Sequence, residues 1–180
     1  MPAALVTRYR TMVHPSYRMF ALYDPTCAEP EDFEPAITGA IGAQVGWSAG
    51  LVAVSTELDL VRVTVEVEVW DSPPPEETAR VDLRREHDLA FPSGQFALDK
   101  SPEESFLRGL DLPPGPGTYR CRLLGTGRAR VREGYDLAYA NGPGPAASRA
   151  VKALDAQEAY RFQLWHVADQ PRWTEDDEDD

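Results

Sequence analysis

Histidine is the residue type in this 180-residue chain best suited to acid–base catalysis or metal binding, and it occurs as His14, His87 and His166. The three are far apart in the sequence and lack the spacing of a metal motif. In Glu86-His87-Asp88 the imidazole lies between two carboxylates, but neighbouring side chains of a strand point to opposite faces. We therefore predict no metal site and no cofactor, and interpret this segment as a solvated strand edge.

The two cysteines, Cys27 and Cys121, are too few to indicate a disulfide framework, so we expect free thiols. Cys121 lies on the apolar face of a predicted strand, where a buried thiol behaves as a small hydrophobic group. Cys27 is close in sequence to Asp24, Glu29 and Glu31. Negative charge raises the pKa of a thiol, so Cys27 is a poor nucleophile.

Five arginines form the strongest candidate for a binding surface: Arg120, Arg122, Arg128, Arg130 and Arg132. The first two lie on the polar face of a predicted strand, and the other three alternate with apolar residues after Gly125-Thr126-Gly127. If this segment is a hairpin turn, all five guanidinium groups share one surface. Guanidinium groups bind carboxylates and phosphates through paired hydrogen bonds, which predicts an anion- or partner-binding face.

Two other interpretations of the arginine face stay open. It is either a solvated face neutralised by acidic residues of a neighbouring strand, such as Glu66 and Glu68, or a surface covered by the chain's own acidic tail. Contact with the tail would be weak and salt-dependent, because charges are screened over about 8 Å at physiological salt.

The last six residues, 175–180, are all acidic and carry half of the net charge of −12. Like charges repel one another and bury no apolar surface, so we predict one folded domain over residues 1–167 and a disordered acidic tail over residues 168–180. The tail is either a solvating end or an arm that recruits a basic partner. For the second case, the candidate binding residues are Trp173, Glu175, Asp176 and Asp177.

The segment from Gly39 to Gly46 is rich in glycine but has neither the spacing nor the lysine of a phosphate-binding loop. We interpret it as a small-residue connection that packs closely against a sheet, with Trp47 as a core anchor. An exposed apolar contact patch is the alternative interpretation.

The elements that position these residues are mainly strands. The clearest pattern covers residues 58–70, where valines at every second position alternate with polar residues until the prolines at 73–75. Weaker alternation predicts strands over residues 4–14, 17–23, 51–56, 80–89, 118–124 and 159–167. Short helices are predicted after Ser101-Pro102 and over residues 146–157.

This pattern predicts an all-β fold: an antiparallel β-sandwich, jelly-roll-like or immunoglobulin-like, of about seven to nine strands with one or two short helices. The acidic balance excludes direct binding of nucleic acid through bulk positive charge. No apolar run is long enough to cross a membrane, and no signal-peptide pattern is found, which predicts a cytoplasmic protein.

Two segments resemble a group of bacterial β-sandwich proteins: residues 112–128, Leu-Pro-Pro-Gly-Pro-Gly-Thr-Tyr-Arg-Cys-Arg-Leu-Leu-Gly-Thr-Gly-Arg, and residues 158–166, Glu-Ala-Tyr-Arg-Phe-Gln-Leu-Trp-His. In that group a proline–glycine turn leads into a tyrosine–arginine strand, and the last strand ends in a glutamine–leucine–tryptophan motif. More distantly, the chain is similar to the competence-associated nuclease-inhibitor family, compact β-proteins that neutralise a nuclease. The resemblance implies a β-fold and an inhibitor or immunity role, and it assigns no individual site residue.

Three functions are compatible with these observations. The first is a non-catalytic protein-binding module, an inhibitor or immunity-type partner of a protein with a basic surface, with a nuclease as the specific case. The second is a hydrolase or metal-dependent enzyme that brings a histidine and distant carboxylates together through the fold. The third is a structural protein that self-associates through edge strands.

Overall fold

The computed structural model describes residues 1–98 and 107–169. The strands in this part of the chain are β1 (Leu5–Val13), β2 (Met19–Tyr23), β3 (Val45–Trp47), β4 (Leu51–Ser55), β5 (Val63–Trp70), β6 (Leu83–Phe91), β7 (Gln95–Leu98), β8 (Leu107–Asp111), β9 (Gly117–Thr126) and β10 (Ala159–Ala168). The helices are α1 (Phe33–Ala43), α2 (Arg128–Tyr139) and α3 (Pro145–Lys152).

The strands form two five-stranded sheets, which confirms the prediction of a β-rich fold. The order is β1-β5-β10-β9-β6 in the first sheet and β3-β4-β2-β7-β8 in the second. The described residues contain more strands and helices than we predicted. The prediction of antiparallel pairing throughout is wrong, because β10 pairs with β5 in parallel. These two strands are distant in sequence, and alternation within a strand carries no information about its partner.

The apolar core lies between the two sheets. The alternating valines of β5, from Val63 to Val69, are buried and contact Phe20 and Leu22 of β2 and Val54 of β4 in one cluster. Burial of this apolar surface is the main force that holds the sheets together. The valine pattern thus correctly predicted which face of β5 is internal.

The predicted strand over residues 58–70 begins later than expected, at Val63. Leu58 and Val61 instead pack with Val131, Val151 and Leu154 in a second cluster beneath α2 and α3. Apolar residues on both sides of an element boundary share the same alternation, so the pattern did not reveal the boundary. The helix predicted after Ser101-Pro102 lies outside the described residues.

Helix α1 covers the outer face of the second sheet. Ala36 and Ala40 of α1 are buried against Ala21, Ala53 and Ala97 of the sheet. The predicted connection over residues 39–46 is therefore mostly helix and strand β3, but the close packing inferred from its glycines is confirmed. A Cβ on Gly39 would lie 2.9 Å from the Gly46 Cα.

None of the helices in the described parts of the chain is both long enough and apolar enough to span a membrane.

Candidate functional site

The prediction that a hairpin brings the five arginines onto one surface is wrong. Strand β9 ends at Thr126, and α2 begins at Arg128. Gly127, between them, has a left-handed backbone with a φ of 78°, and a Cβ at this position would overlap the Gln157 carbonyl oxygen. The backbone N–H of Arg128 donates to Asp82 Oδ2 at 2.8 Å, which satisfies one of the free donors at the start of the helix.

The sequence did contain a signal for helix α2, but it lay in the apolar residues of the segment and not in its arginines. Val131, Tyr135 and Ala138 pack together in the cluster beneath α2, with the spacing of successive helical turns. Arginines at every second position gave the opposite impression, because their alternation mimics the period of a strand. Exposed charged residues can occupy any solvent-facing position of a helix, so their spacing does not report the secondary structure. The spacing of the apolar residues, which must face the core, predicts it better.

Arg120 and Arg122 do lie on the polar face of β9, as predicted. One row of residues crosses the first sheet, with one residue from each strand: Arg8, Glu68, Gln163, Arg122 and Glu86. In this row charges of opposite sign alternate around the neutral glutamine. Cross-strand pairs of this kind stabilise a sheet.

The guanidinium group of Arg122 is buried and fully engaged with the protein itself. Nε donates to Glu86 Oε2 at 3.2 Å, Nη1 to the Pro75 carbonyl oxygen at 3.3 Å and Nη2 to Glu76 Oε1 at 3.3 Å. Its Cζ atom also lies over the Trp165 ring, 5.4 Å from the centroid. Arg122 therefore binds carboxylates, as we expected, but they belong to Glu86 and Glu76 of the same chain and not to an external anion.

Arg120 is more exposed and also forms internal ion pairs. It contacts Asp88 through Nε, and Nη1 lies 3.5 Å from Glu86 Oε1. Neutralisation of these arginines therefore comes from β6 and, for Arg122, also from Glu76. Glu66 and Glu68 pair instead with Arg8 and Arg161.

Residues 71–82, here called the strap, cross the outer face of the first sheet between β5 and β6. Glu76 pairs with Arg84 at 2.6 Å, and Glu77 pairs with Arg161 at 2.8 Å. A groove of about 250 Å³ between the strap and the sheet is lined by Arg10 and Arg161 together with Glu66 and Glu77. Because both signs of charge line this groove, it has no clear preference for an anion or a cation.

Glu68 is the buried anchor of this face. Its carboxylate accepts hydrogen bonds from Arg8 Nη2 at 2.7 Å, Trp70 Nε1 at 3.0 Å and Gln163 Nε2 at 3.0 Å. Burial alone would raise the pKa of Glu68, but the hydrogen bonds from Gln163, Trp70 and Arg8 outweigh it and hold the pKa below its usual value.

Arg128 belongs to a buried polar group, here called the Arg128 cluster: Arg128, Glu57, Glu158 and Tyr160. Nη1 of Arg128 donates to the Ser55 carbonyl oxygen at 2.7 Å and to the Tyr160 hydroxyl, and Nη2 donates to Glu57 Oε1 at 2.6 Å. The carboxylate of Glu158 lies 3.3 Å from Arg128 Nη1 and accepts from the Glu57 backbone N–H at 3.1 Å. Burial raises the pKa of both Glu158 and Tyr160.

The Arg128 cluster joins the two sheets. Ser55 ends β4 of the second sheet, Tyr160 lies in β10 of the first sheet, and Arg128 begins α2. Sequence reasoning missed the cluster because Glu57, Arg128 and Glu158 are far apart in the chain. These contacts give Arg128 a stabilising role inside the fold.

The other predicted binding residues have different positions. Arg132 Nε donates to Glu57 Oε2 at 3.1 Å, so it extends the Arg128 cluster to the surface. Arg130 is exposed on α2. Trp173, Glu175, Asp176 and Asp177 lie outside the described residues, as does most of the predicted tail.

The three histidines do not meet. His14 Nε2 lies 2.9 Å from the Asp59 carbonyl oxygen, the His87 ring lies against Trp47, and the His166 ring lies against Tyr119. Over residues 1–98 and 107–169 there is no group of three or more histidine, cysteine and carboxylate side chains arranged to hold a metal ion.

Both thiols are expected to resist modification in the folded protein. Burial, followed by the charges of Asp32 and Asp24, raises the pKa of Cys27 to about 11, and burial also raises the pKa of Cys121. Since the thiolate is the reactive form, Ellman's reagent at about pH 8 should react with either cysteine at least about 100-fold more slowly than with free cysteine. Both should react at once in denaturant, and rapid labelling of the native protein would contradict the burial described here.

Comparison with known proteins adds a fold relationship. The chain matches no protein-family model and no curated protein sequence. Among solved structures it is similar to ComJ from Bacillus subtilis, an inhibitor of the DNA-degrading activity of NucA, with a TM-score of 0.55 and 11% identity over 93% of this chain and 100% of ComJ. It is also similar to a protein described as crocagin biosynthetic gene J, with a TM-score of 0.50 and 15% identity over 92% of this chain and 99% of that chain. The distant resemblance to the competence-associated nuclease-inhibitor family is thus confirmed as a likeness of fold over nearly the whole chain.

Proposed function

We propose that this protein is a non-catalytic β-sandwich inhibitor that binds a basic protein, with a nuclease as the specific partner class. The observation that supports this most is the fold likeness to ComJ, which extends over all of that inhibitor. ComJ inhibits a DNA-degrading activity. An inhibitor needs a rigid surface rather than a catalytic constellation, and two sheets around one core supply such a surface.

Charge supports the same proposal. The chain has a net charge of −12, whereas an enzyme that degrades DNA binds phosphates with lysine and arginine side chains. Opposite charges accelerate the encounter of two proteins and favour the matching partner. In this proposal residues 1–167 are the binding domain, and the acidic tail over residues 168–180 adds to the attraction.

Self-association through sheet edges is a weaker proposal. The exposed residues of edge strand β6 run from Arg84 to Asp88 and are all charged or histidine. Charged side chains on an edge strand oppose pairing with a second sheet.

The proposal is tested by capture and inhibition. The full-length protein, immobilised, is exposed to a lysate of its native host at about 50 mM salt, and bound protein is eluted with a salt gradient. We expect a basic protein that degrades DNA after elution and stops doing so when excess purified chain is added back. Recovery of no DNA-degrading activity, or activity unchanged by the added chain, would contradict the proposal.

A further inference from the structure

The stretch of chain that contains β2, α1, β3 and β4 carries no basic residue. Between Arg18 and Arg62 there is no lysine or arginine, whereas seven residues are acidic. Four of the seven lie at the start of α1: Glu29, Glu31, Asp32 and Glu34. Among the described residues, none forms an ion pair with these four carboxylates, in contrast to the paired charges on the outer face of the first sheet.

Helix α1 also presents both of its isoleucines to solvent. Its inward residues Ala36 and Ala40 are small because the helix backbone lies against Gly46 of β3. A Cβ on Gly46 would overlap the Ala36 carbonyl oxygen and lie 2.6 Å from the Ala40 nitrogen. The helix thus approaches the second sheet too closely for large side chains on that side. Ile41 is 72% exposed and Ile37 is 37% exposed, one turn apart on the same outward face.

A shallow groove continues this apolar surface towards the acidic residues. It has a volume of about 320 Å³ and is lined by Pro30, Phe33 and Ile37 together with Glu29 and Glu34. Phe33 is held in place against Tyr23, with ring centroids 5.1 Å apart. An apolar centre with a polar rim is the usual anatomy of a protein-binding surface.

We propose that this surface of α1, here called the α1 face and made up of Glu29, Glu31, Glu34, Ile37 and Ile41, is where the partner docks. The proposal rests on the proposed function and names the surface that performs it. The occupant is the basic surface of a protein, with lysine or arginine side chains opposite the carboxylates and an apolar side chain in the groove. A second copy of this chain would bring its own three carboxylates of the α1 face against these three, and the repulsion opposes that arrangement.

The outer face of the first sheet is a poorer docking surface for the same partner. Its carboxylates, such as Glu68, Glu76 and Glu86, already pair with arginines of the same chain. A basic partner would have to break these contacts before forming its own. On the α1 face no carboxylate pairs with a basic residue of the described parts of the chain, so binding there breaks none of the ion pairs that the structure describes.

Matched variants test the α1 face. Ile41→Arg is compared with Leu137→Arg on α2, since the two residues have almost equal exposure, 72% and 71%.

A second comparison tests the charges. The double variant Glu31→Lys/Glu34→Gln is compared with the double variant Glu133→Lys/Asp136→Asn, which changes the net charge equally at exposed sites of α2. The probe is the DNA-degrading activity that each immobilised variant retains from native-host lysate. We expect the α1 variants to lose at least about tenfold and the α2 variants to stay close to wild type.

The outcomes separate the two proposals. If the unmodified chain retains the activity and the α1 variants retain it equally, the α1 face is wrong and the proposed function stands. If the unmodified chain retains none, the proposed function fails, and a photo-crosslinking residue at position 41 or 137 in the native host then tests the face alone. The α1 face is supported if position 41, and not position 137, forms an adduct with a basic protein. It is overturned by an adduct with a second copy of this chain, by an adduct formed from position 137 alone, or by the absence of any adduct. Thermal melting of each variant verifies that it is folded.

Discussion

Replacement of Arg128 by methionine should lower the free energy of unfolding by about 3–5 kcal/mol, because it removes a buried cation that lies between the buried carboxylate of Glu158 and the partly buried carboxylate of Glu57. Arg128 is 5% exposed and Glu158 is 1% exposed, so water cannot replace the lost contacts. The Ser55 carbonyl and the Tyr160 hydroxyl lose a donor in the same step. Methionine keeps most of the side-chain volume, so the loss reports charge and hydrogen bonding more than a cavity.

The matched control is Arg130→Met, two residues along the same helix. Arg130 is exposed, and its replacement should change the free energy of unfolding by no more than about 0.5 kcal/mol. Urea denaturation followed by circular dichroism measures both. Equal effects of the two variants would mean that the Arg128 cluster does not hold the sheets together.

The loss in the Arg128 variant should increase as the pH rises. Burial raises the pKa of Glu158, while the charge of Arg128 opposes that rise. Without Arg128 the folded protein favours protonated Glu158 more strongly. A raised folded pKa gives stability that is complete below the unfolded value, about 4.3, and is lost as the pH rises through the folded value. A second change, Glu158→Gln, should remove this added pH dependence, and its persistence would point to another group.

The sequence correctly predicted the parts of the fold in which apolar and polar side chains alternate with the period of a strand. The valines of β5 alternate with polar residues because one face contacts the core and the other carries cross-strand polar contacts such as those of Glu68. Strand pairing was not predictable in the same way. The parallel contact of β5 with β10 depends on residues almost a hundred positions apart, and no local pattern encodes it.

Helix α1 escaped prediction for a physical reason. A surface helix is normally recognised by large apolar residues on its inward face. Here Gly46 lets the helix approach so closely that the inward positions are alanine and glycine, and the isoleucines lie outside. The segment's apolar run suggested a contact patch, but only the orientation of the helix shows that Ile37 and Ile41 form one with the acidic residues before them.

The second large effect is expected at Gly46, and it links stability to the α1 face. Gly46→Ala places a methyl group against the Ala36 carbonyl oxygen and the Ala40 nitrogen, both of which are backbone atoms with no rotamer to change. The helix must move away from β3 and expose the apolar contact between Ala36, Ala40 and the sheet. We expect a loss of at least about 3 kcal/mol in the free energy of unfolding, measured by urea denaturation.

Gly42→Ala in α1 is the control for Gly46→Ala, because a Cβ at position 42 would meet no atom within 4 Å apart from the backbone of its own helix. Alanine is the better helix former, so this variant should be unchanged or more stable by up to about 1 kcal/mol. If the α1 face binds the partner, Gly46→Ala should also lose capture of the DNA-degrading activity at temperatures where the rest of the protein is folded, while Gly42→Ala keeps it. A Gly46→Ala protein with wild-type stability would show that α1 is not held against the sheet by this close approach. The outward isoleucines would then need another explanation, because the close approach is what excludes large side chains from the inner side of the helix.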